Sequence, residues 1–162
     1  PVLRGVCIRY SANRTDAEDL LQDCFIKILA NIKKFKFKGS FEGWLRRIVV
    51  NYALNQYHKN KKYKHHYDID EMQDRIGKDD NSDIEDNSPY GDLTEDELTN
   101  LINYLPEGYR IIFNLYIIDN YKHHEIAEEL NISINTSKSQ LSRARKLLQQ
   151  KLKEYCKTKY GR

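Results

Sequence analysis

Residues 121–152 read YKHHEIAEELNISINTSKSQLSRARKLLQQKL, and this stretch predicts two helices joined by a tight turn. Asn131 suits the left-handed backbone conformation in which many helices end. Ser133 can then accept hydrogen bonds from the free amides that open the next helix. A short apolar stripe marks the inner face of the first helix, formed by Ile126, Ala127 and Leu130. The stretch therefore predicts a helical hairpin.

The second helix of this hairpin has an apolar back and a polar, basic front. Small and apolar residues recur along the back at helical spacing: Ser137, Leu141, Ala144 and Leu148. Polar and basic residues occupy the front and its flanks: Thr136, Lys138, Ser139, Gln140, Ser142, Arg143, Arg145 and Lys146. Because the major groove of DNA admits one helix, this pattern predicts a helix-turn-helix that reads duplex DNA. An amphipathic hairpin with a solvated basic face is the alternative.

The charge of the chain is sorted into blocks around a small net charge of +3. Residues 1–67 hold 14 Lys and Arg against 5 Asp and Glu, a net of +9, and residues 98–162 hold 11 against 6, a net of +5. Between them, residues 68–97 hold 2 against 13, a net of −11. Two basic blocks around an acidic one predict polyanion-binding domains joined by a solvated tether.

Composition and residue spacing disfavour several other classes of protein. No apolar run approaches the roughly 20 residues that span a bilayer, so we expect no direct membrane insertion. Three cysteines lie far apart without a CxxC pair, which favours reduced cytosolic thiols over a disulfide framework or a zinc site. The carboxylates concentrate in the acidic block and the histidines form adjacent pairs. We therefore expect no catalytic cluster, no metal site and no cofactor.

The first basic block begins with two predicted helices, one over residues 2–11 and one from Asp16 to about Ile32. Thr15 and Glu18 form a capping box at the start of the second helix. A wide apolar face on this helix predicts core packing for Leu20, Leu21, Cys24, Phe25, Ile28, Leu29 and Ile32. Its exposed first turns are acidic, which suits the positive end of a helix and equally suits docking of a basic partner.

Basic and aromatic residues alternate in a loop at residues 33–43, which reads KKFKFKGSFEG. Such a pattern suits unstacked bases and their phosphates, although we expect at least one of its phenylalanines to plug the core. Ser40 can cap the next helix, predicted from Phe41 to about Lys62. The predicted core stripe of that helix is Trp44, Leu45, Ile48, Val49, Tyr52 and Ala53. Its other side, a candidate nucleic-acid face, carries Arg46, Arg47, Val50, Asn51, Leu54, Asn55 and Gln56.

The acidic block from Asp68 to Glu97 cannot bury enough apolar surface to fold alone, so it predicts a flexible linker. It acts either as a spacer or as a mimic of nucleic acid that covers the basic faces. DNA affinity of the free protein with and without residues 68–92 separates the two. A second capping box at Thr94–Glu97 then opens a helix that stops at Pro106, and another helix follows to about Ile118.

Taken in order, these motifs resemble the extracytoplasmic-function class of bacterial RNA polymerase sigma factors across nearly the whole chain. The first block carries DAEDLLQD at residues 16–23 with Phe25, then Ser40-Phe41, Trp44-Leu45, Arg47-Ile48, Asn51 and Ala53-Leu54. The second carries Leu105-Pro106-Glu107, Glu125-Ile126-Ala127-Glu128, Ile132-Ser133 and residues 143–148, RARKLL. The resemblance implies an all-α fold of two small helical domains, at residues 1–64 and 94–162. A flexible acidic linker at residues 65–93 joins them, and the C-terminal domain is a helix-turn-helix.

The resemblance also implies a function. The protein would not be an enzyme, but would direct core RNA polymerase to promoter DNA in the cytoplasm under control of an anti-sigma protein. The −35 element would be contacted by Asn135, Thr136, Lys138, Ser139, Gln140, Ser142, Arg143, Arg145 and Lys146. The −10 strand would be held by Lys36, Phe37, Lys38, Ser40, Phe41, Trp44, Arg47, Asn51, Asn55 and Lys59. Core polymerase would be docked by Asp16, Glu18, Asp19, Gln22, Asp23 and Phe25.

Three residues of the hairpin depart from the usual pattern of this family. Lys122 stands where a Ser or Thr normally caps the first helix, so we expect the cap to come from another group. Ser137 replaces a Val on the packing side. Gln140 replaces an Arg on the front, which would exchange a guanine or phosphate contact for an adenine contact.

Two other classes remain open on the residues alone. A stand-alone DNA-binding regulator would use the hairpin but leave the acidic patch of the first domain without a role, and cofractionation with core polymerase discriminates. A nucleic-acid-processing enzyme would use both basic blocks, and activity on DNA without polymerase would reveal it.

Overall fold

The computed structural model describes residues 2–64 and 93–161, and within these ranges the chain is helical, with no strand. The first half holds α1 (Val2–Tyr10), α2 (Arg14–Asn31), a 3-10 turn (Ile32–Lys34) and α3 (Phe41–Lys64). The second half holds α4 (Glu95–Asn103), α5 (Glu107–Phe113), a π-helical turn (Asn114–Ile118), α6 (His123–Leu130) and α7 (Ile134–Tyr160). None of these described helices is long and apolar enough to cross a bilayer. The all-α prediction is confirmed, and the predicted linker lies outside the described residues except at its last position.

Helix α2 begins at Arg14 and is capped by Asn13, so the predicted capping box at Thr15 is wrong. The Asn13 side chain accepts a hydrogen bond from the Asp16 amide at 2.9 Å. Glu18, the other predicted member of that box, pairs with Arg14 at 3.1 Å. Asn and Thr are both strong caps, so the local sequence did not decide between two candidates only two residues apart.

Only one stripe of α2 is buried, made of Ala17, Leu20, Cys24 and Ile28. The predicted burial of Phe25, Leu29 and Ile32 is wrong, because these side chains are 50%, 69% and 44% exposed. Helices α1 and α3 cover the stripe that repeats every three to four residues and leave the neighbouring positions open. Part of the predicted apolar face of α2 is therefore exposed to solvent.

Two cysteines that are far apart in sequence lie together between α1 and α2. Cys7 and Cys24 are both fully buried, and both are free thiols. The contact with Cys7, together with burial, raises the pKa of the Cys24 thiol, which stays protonated at neutral pH.

Helix α3 begins as predicted, because the Ser40 hydroxyl accepts a hydrogen bond from the Gly43 amide at 3.2 Å. The assignment of its faces is wrong at two positions. Val50 and Leu54, expected on the nucleic-acid side, are 1% and 2% exposed. The predicted core stripe reaches full burial only at Val49 and Ala53.

The second half of the chain packs against the first through a shared apolar core, which includes Val6, Leu54 and Leu115, and through a polar junction at the end of α1. The Tyr10 hydroxyl donates to the Asp119 carboxylate at 2.6 Å, and the Asn114 side-chain amide donates to the Arg9 carbonyl at 2.8 Å. Because residues more than a hundred positions apart meet here, this arrangement could not be read from local patterns.

The outer stripe of α3 faces α6, which explains its unexpected burial. The Arg47 guanidinium lies close enough to Tyr121 to oppose the rise that burial causes in the Tyr121 pKa, and Nε2 of His58 lies 2.7 Å from the Glu129 carbonyl. The two misassigned apolar residues of α3 fall between Arg47 and His58 on the same helical stripe. Packing of the C-terminal half therefore covers a stripe that the sequence indicated as open.

Helix α7 extends beyond the hairpin and holds the start of α4. The Thr94–Glu97 capping box is present as predicted. Tyr155 and Lys159 of α7 both hydrogen-bond the Glu97 carboxylate. These bonds, that of Lys159 foremost, lower the pKa of Glu97 to about 2. The carboxylate that completes the box is thus held ionised by the far end of α7.

We predict that Asn13→Ala lowers the free energy of unfolding by about 1 kcal/mol, because α2 loses the acceptor for its first free amide. Thr15→Ala, the matched control two residues along, should change it by less than about 0.5 kcal/mol. Urea denaturation followed by circular dichroism measures both. Equal losses in the two variants would show that the cap is misplaced.

Candidate nucleic-acid interface

The turn between α6 and α7 has the two features that the sequence predicted. Asn131 adopts the left-handed conformation with φ 53°, and the Ser133 hydroxyl accepts a hydrogen bond from the Thr136 amide at 2.9 Å. At the other end of α6, the Glu125 carboxylate accepts a hydrogen bond from the Lys122 amide at 2.7 Å. The Glu125 carboxylate therefore supplies a capping hydrogen bond in place of the missing Ser or Thr side chain. This agrees with the expectation that the cap comes from another group.

A partly buried hydrogen bond links the start of α6 to α7. Ser137, which stands where an apolar residue is usual, is fully buried, and its hydroxyl lies 2.9 Å from Nδ1 of His123. The His123 ring stacks on Tyr116, with 4.4 Å between ring centroids. Burial, followed by the charges of Lys138 and Arg145, lowers the pKa of His123. Burial and these two positive charges therefore favour the neutral ring.

The front of α7 stays open while its back is buried. On the back, Leu141 and Ala144 pack into the core as predicted. Among the predicted front and flank residues, Thr136, Gln140 and Arg143 are half-buried. The others are exposed: Asn135, Lys138, Ser139, Ser142, Arg145 and Lys146. This surface offers amide, hydroxyl, guanidinium and ammonium groups, which can donate to base edges and phosphates.

An aromatic cluster lies in the loop between α2 and α3, and Phe35 is at its centre. Its ring centroid is 5.1 Å from those of Phe37 and Phe41 and 5.3 Å from that of Trp44. Phe35 is only half-buried and none of the three phenylalanines joins the buried core, so the prediction that one of them plugs the core is wrong. Phe37 is 89% exposed and holds a left-handed backbone with φ 54°, which is unusual for a bulky residue. The loop therefore presents one bare aromatic face between two exposed lysines.

A groove of about 300 Å³ lies between α2 and α3 beside this cluster. Amide, basic and aromatic groups line it: Lys27, Asn31, Lys34, Trp44, Ile48, Asn51, Tyr52 and Asn55. Lys27 and Asn31 of α2 and Lys34 of the 3-10 turn were missed by the sequence analysis, which named residues of this site only from Lys36 onward. Their spacing of four and then three residues was the available signal, because it places them on one face of a helix.

Arg47 does not line the groove. It lies on the neighbouring stripe of α3, near Tyr121 of the second half, whose pKa its charge lowers against the effect of burial. Asn51 and Asn55, by contrast, are exposed and reach the groove. Lys59 is exposed further along the helix. The structure thus brings two of the predicted amides together and separates the predicted guanidinium from them.

The acidic residues of α2 line a larger cleft of about 480 Å³ between the two halves. Asp16, Asp19 and Asp23 lie on one wall, and Glu107 and Arg110 of α5 lie on the other. Beside them, α2 exposes apolar side chains at Phe25, Ile26, Leu29 and Ile32. An acidic rim next to exposed apolar surface is typical of a protein docking site.

Family profiles match both described halves of the chain. A profile described as Sigma-70 region 2 matches residues 1–63, and one described as Sigma-70, region 4 matches residues 95–148. The two matches flank the predicted acidic linker.

Individual relatives cover nearly the whole chain. It is 34% identical to the ECF RNA polymerase sigma factor SigW of Bacillus subtilis, over 92% of this chain and 82% of that protein. It is 28% identical to the ECF RNA polymerase sigma-E factor of Haemophilus influenzae, over 91% and 80%. Among solved structures, it resembles the sigma factor RpoE of Bartonella quintana, co-crystallised with the anti-sigma factor NepR. The TM-score is 0.56 at 27% identity, over 94% of this chain and 91% of that one.

We predict that the stability of the hairpin falls as pH drops below about 6.5. The lowered pKa of His123 means that the unfolded chain binds a proton in this range that the folded chain resists. The double variant His123→Phe, Ser137→Ala keeps a ring on Tyr116 and removes both the titration and the buried bond. Urea midpoints measured at pH 5.5 and 7.5 should therefore differ less in the variant than in the wild type. An unchanged difference would contradict the assignment.

Proposed function

This chain belongs to the extracytoplasmic-function class of sigma-70 RNA polymerase sigma factors, and we propose that its two helical domains divide promoter recognition between them. It directs core RNA polymerase to promoters and initiates transcription. The N-terminal domain, residues 1–64, is assigned to core docking and to the opened −10 strand. The C-terminal domain, residues 94–162, is assigned to the −35 duplex, and residues 65–93 are assigned to the linker.

The front of α7 is the proposed −35 reading surface. The single observation that carries this assignment is the open polar face of α7, whose opposite side packs in the core and is linked to α6 by the Ser137–His123 contact at 2.9 Å. Side chains near base edges would be Asn135, Thr136, Ser139, Gln140 and Arg143, with Ser142 beside them. Phosphates would be contacted by Lys138, Arg145 and Lys146, since ammonium and guanidinium groups displace the counterions of DNA.

The groove between α2 and α3 is the proposed site for an unpaired −10 base. Asn51 and Asn55 can hydrogen-bond a base edge, and Trp44 offers a ring. Phe37 would stack on a neighbouring base, because it is the most exposed aromatic residue in the loop. The remaining proposed contacts are Lys36, Lys38, Ser40, Phe41 and Lys59, with Arg47 on the neighbouring stripe of α3 and with Lys27, Asn31 and Lys34 added from the groove.

The exposed face of α2 is the proposed docking site for core polymerase. Polar contacts would come from Asp16, Glu18, Asp19, Gln22 and Asp23, all of which are exposed. Apolar contact would come from Phe25, to which the structure adds Ile26 and Leu29. Exposed apolar groups of this size would be costly in a free protein unless a partner covers them.

Three further properties follow from this assignment. The chain would have no catalytic activity of its own, because the polymerase carries the chemistry. It would act in the cytoplasm, where polymerase and promoters are found. The Bartonella sigma factor was crystallised with an anti-sigma factor, so an anti-sigma protein is proposed as a partner here too.

Transcription in vitro with core polymerase on a library of promoter fragments tests the assignment as a whole. We expect initiation at a discrete set of promoters that depends on this chain. Equal initiation with core polymerase alone would overturn the proposed function.

We predict that Lys146→Ala weakens binding to duplex DNA by a similar factor for all sequences and lowers the slope of log affinity against log salt by roughly 1. The reason is the loss of one phosphate contact. Lys157→Ala, about three turns further along α7 and also exposed, serves as the control and should leave both quantities unchanged. A loss confined to certain sequences would show that Lys146 faces the bases.

We predict that Asn51→Ala reduces open-complex formation at least about fivefold at equal promoter occupancy, because a base edge in the groove loses its amide partner. Permanganate footprinting of unpaired thymines measures the opening. Asn100→Ala, an exposed asparagine on α4, is the matched control and should open promoters normally. Wild-type opening by the Asn51 variant would remove the groove from the −10 site.

A further inference from the structure

His123 lies beside the proposed −35 reading surface, but the sequence analysis gave it no part in that surface. One nitrogen of its ring, Nδ1, lies 2.9 Å from the hydroxyl oxygen of Ser137. The other nitrogen, Nε2, has no hydrogen-bond partner within residues 2–64 and 93–161, and it is not enclosed by the fold. The half-buried imidazole is therefore held through one nitrogen, and the second nitrogen is open to an external group.

Aromatic stacking fixes the position of this ring beside the basic flank of α7. The Tyr116 ring lies against it, with 4.4 Å between the ring centroids and 24° between the ring planes. The guanidinium carbon of Arg145 lies 5.9 Å from the centroid of the same Tyr116 ring. Lys138 directly follows Ser137, and both Lys138 and Arg145 are exposed. The ring of His123 is thus placed next to two residues that are proposed to contact the DNA backbone.

The charged groups around the ring oppose its protonation in the free chain. Burial lowers the pKa of His123, and the positive charges of Lys138 and Arg145 lower it further. On its own helix, Lys122 is exposed and the Glu125 carboxylate is bonded to the Lys122 amide. Further titratable side chains lie beside it on α6 or are brought to α6 by the π-helical turn and α3: His124, Tyr116, Arg47 and His58. The ring is therefore neutral at pH 7 in the absence of DNA.

A DNA phosphate would reverse this balance. Phosphates that contact Lys138 and Arg145 would place negative charge beside the two cations that oppose protonation of the ring. A phosphate oxygen at Nε2 would also accept a hydrogen bond from an imidazolium, and such charge-assisted bonds are roughly twice as strong as neutral ones. We propose that His123 is a further backbone contact of the −35 surface, which takes up a proton from solvent as DNA binds and holds a phosphate through Nε2. This inference rests on the proposed function.

Ser137 allows both protonation states of the ring. A hydroxyl can donate a hydrogen bond to an unprotonated Nδ1 or accept one from a protonated Nδ1, so the 2.9 Å contact survives the uptake of a proton. The valine that is usual at this position can do neither and would leave Nδ1 without a partner. The departure from the family pattern at Ser137 thus supplies a partner that suits a histidine with a changing charge.

The consequence is an affinity for DNA that depends on pH. A group whose pKa is higher in the complex than in the free chain binds a proton on association, so affinity rises as pH falls through that range. We expect the affinity of the wild type to rise about fivefold between pH 7.5 and 6.0. Because the imidazolium neutralises one more phosphate, the slope of log affinity against log salt should also be steeper by about 0.5 or more at pH 6.0 than at pH 8.0.

Fluorescence anisotropy of the full chain with a labelled DNA duplex of mixed sequence measures both quantities. A mixed sequence is suitable, because phosphate contacts carry no sequence information. His123→Gln keeps a polar group for the Ser137 hydroxyl but takes up no proton, so it should lose the fivefold gain and the additional salt slope. His124→Gln, which alters the next and exposed residue, is the matched control and should keep both. Circular dichroism confirms that each variant retains its helix content.

A His123→Gln variant with the pH dependence of the wild type, or a wild type whose affinity does not rise at pH 6.0, would overturn the proton uptake. Loss of the pH dependence with an unchanged salt slope would overturn the phosphate contact. The proton signal of the His123 ring, followed by NMR in the wild type, gives a test without any variant. Its titration midpoint should be higher by at least about one pH unit with DNA than without it, and an unmoved midpoint would overturn the inference.

Failure of the proposed function has a different signature. The wild type and both variants would then show no binding to duplex DNA at any pH, and no initiation in the transcription assay would depend on this chain. Binding that is present but independent of His123 would overturn only the inference and would leave the −35 assignment standing.

Discussion

Helix α3 has to pack on one stripe and stay open on the next. Consecutive residues of a helix point about 100° apart, so Val50 can be buried against the rest of the protein while Asn51 reaches the groove. The same offset separates Leu54 from Asn55. Because both stripes are continuous, the C-terminal half cannot rotate on α3 without covering the amides or exposing the apolar side chains. The positions of the groove, the junction and the docking cleft all depend on this register.

The hairpin and the junction use polar chemistry to different ends. Ser137 is fully buried and forms a hydrogen bond with the half-buried His123, and a satisfied polar pair of this kind selects one geometry over its neighbours. The recognition helix is thereby presented as a rigid surface. At the junction, the bond between Tyr10 and Asp119 is accompanied by buried polar atoms that only solvent can satisfy. The hairpin bond is satisfied within the protein, whereas the junction leaves polar atoms without a partner among the described residues.

Local patterns predicted those features that short-range hydrogen bonds decide. The caps at Ser40, Thr94 and Ser133 and the left-handed turn at Asn131 were all readable, because each depends on residues within four positions. Thr15 was a wrong choice between two good caps. The predicted burial of Phe25 and Leu29 was wrong for another reason. An apolar residue type shows that a side chain tolerates burial, but it does not show that a neighbouring element covers that side chain. On α2, the uncovered half of the apolar face is the proposed docking surface.

The sequence by itself determined the helices, their order, the polar front of α7, the aromatic loop and the family to which the chain belongs. Each of these features follows from the types of residues that lie a few positions apart in the sequence. Only the tertiary structure decided which stripe of α3 is covered, that Arg47 turns toward Tyr121, and that residues of α2 complete the groove. These depend on contacts between residues far apart in the chain. No local periodicity predicts these contacts, because the polar face of the same amphipathic helix can contact solvent, DNA or another domain.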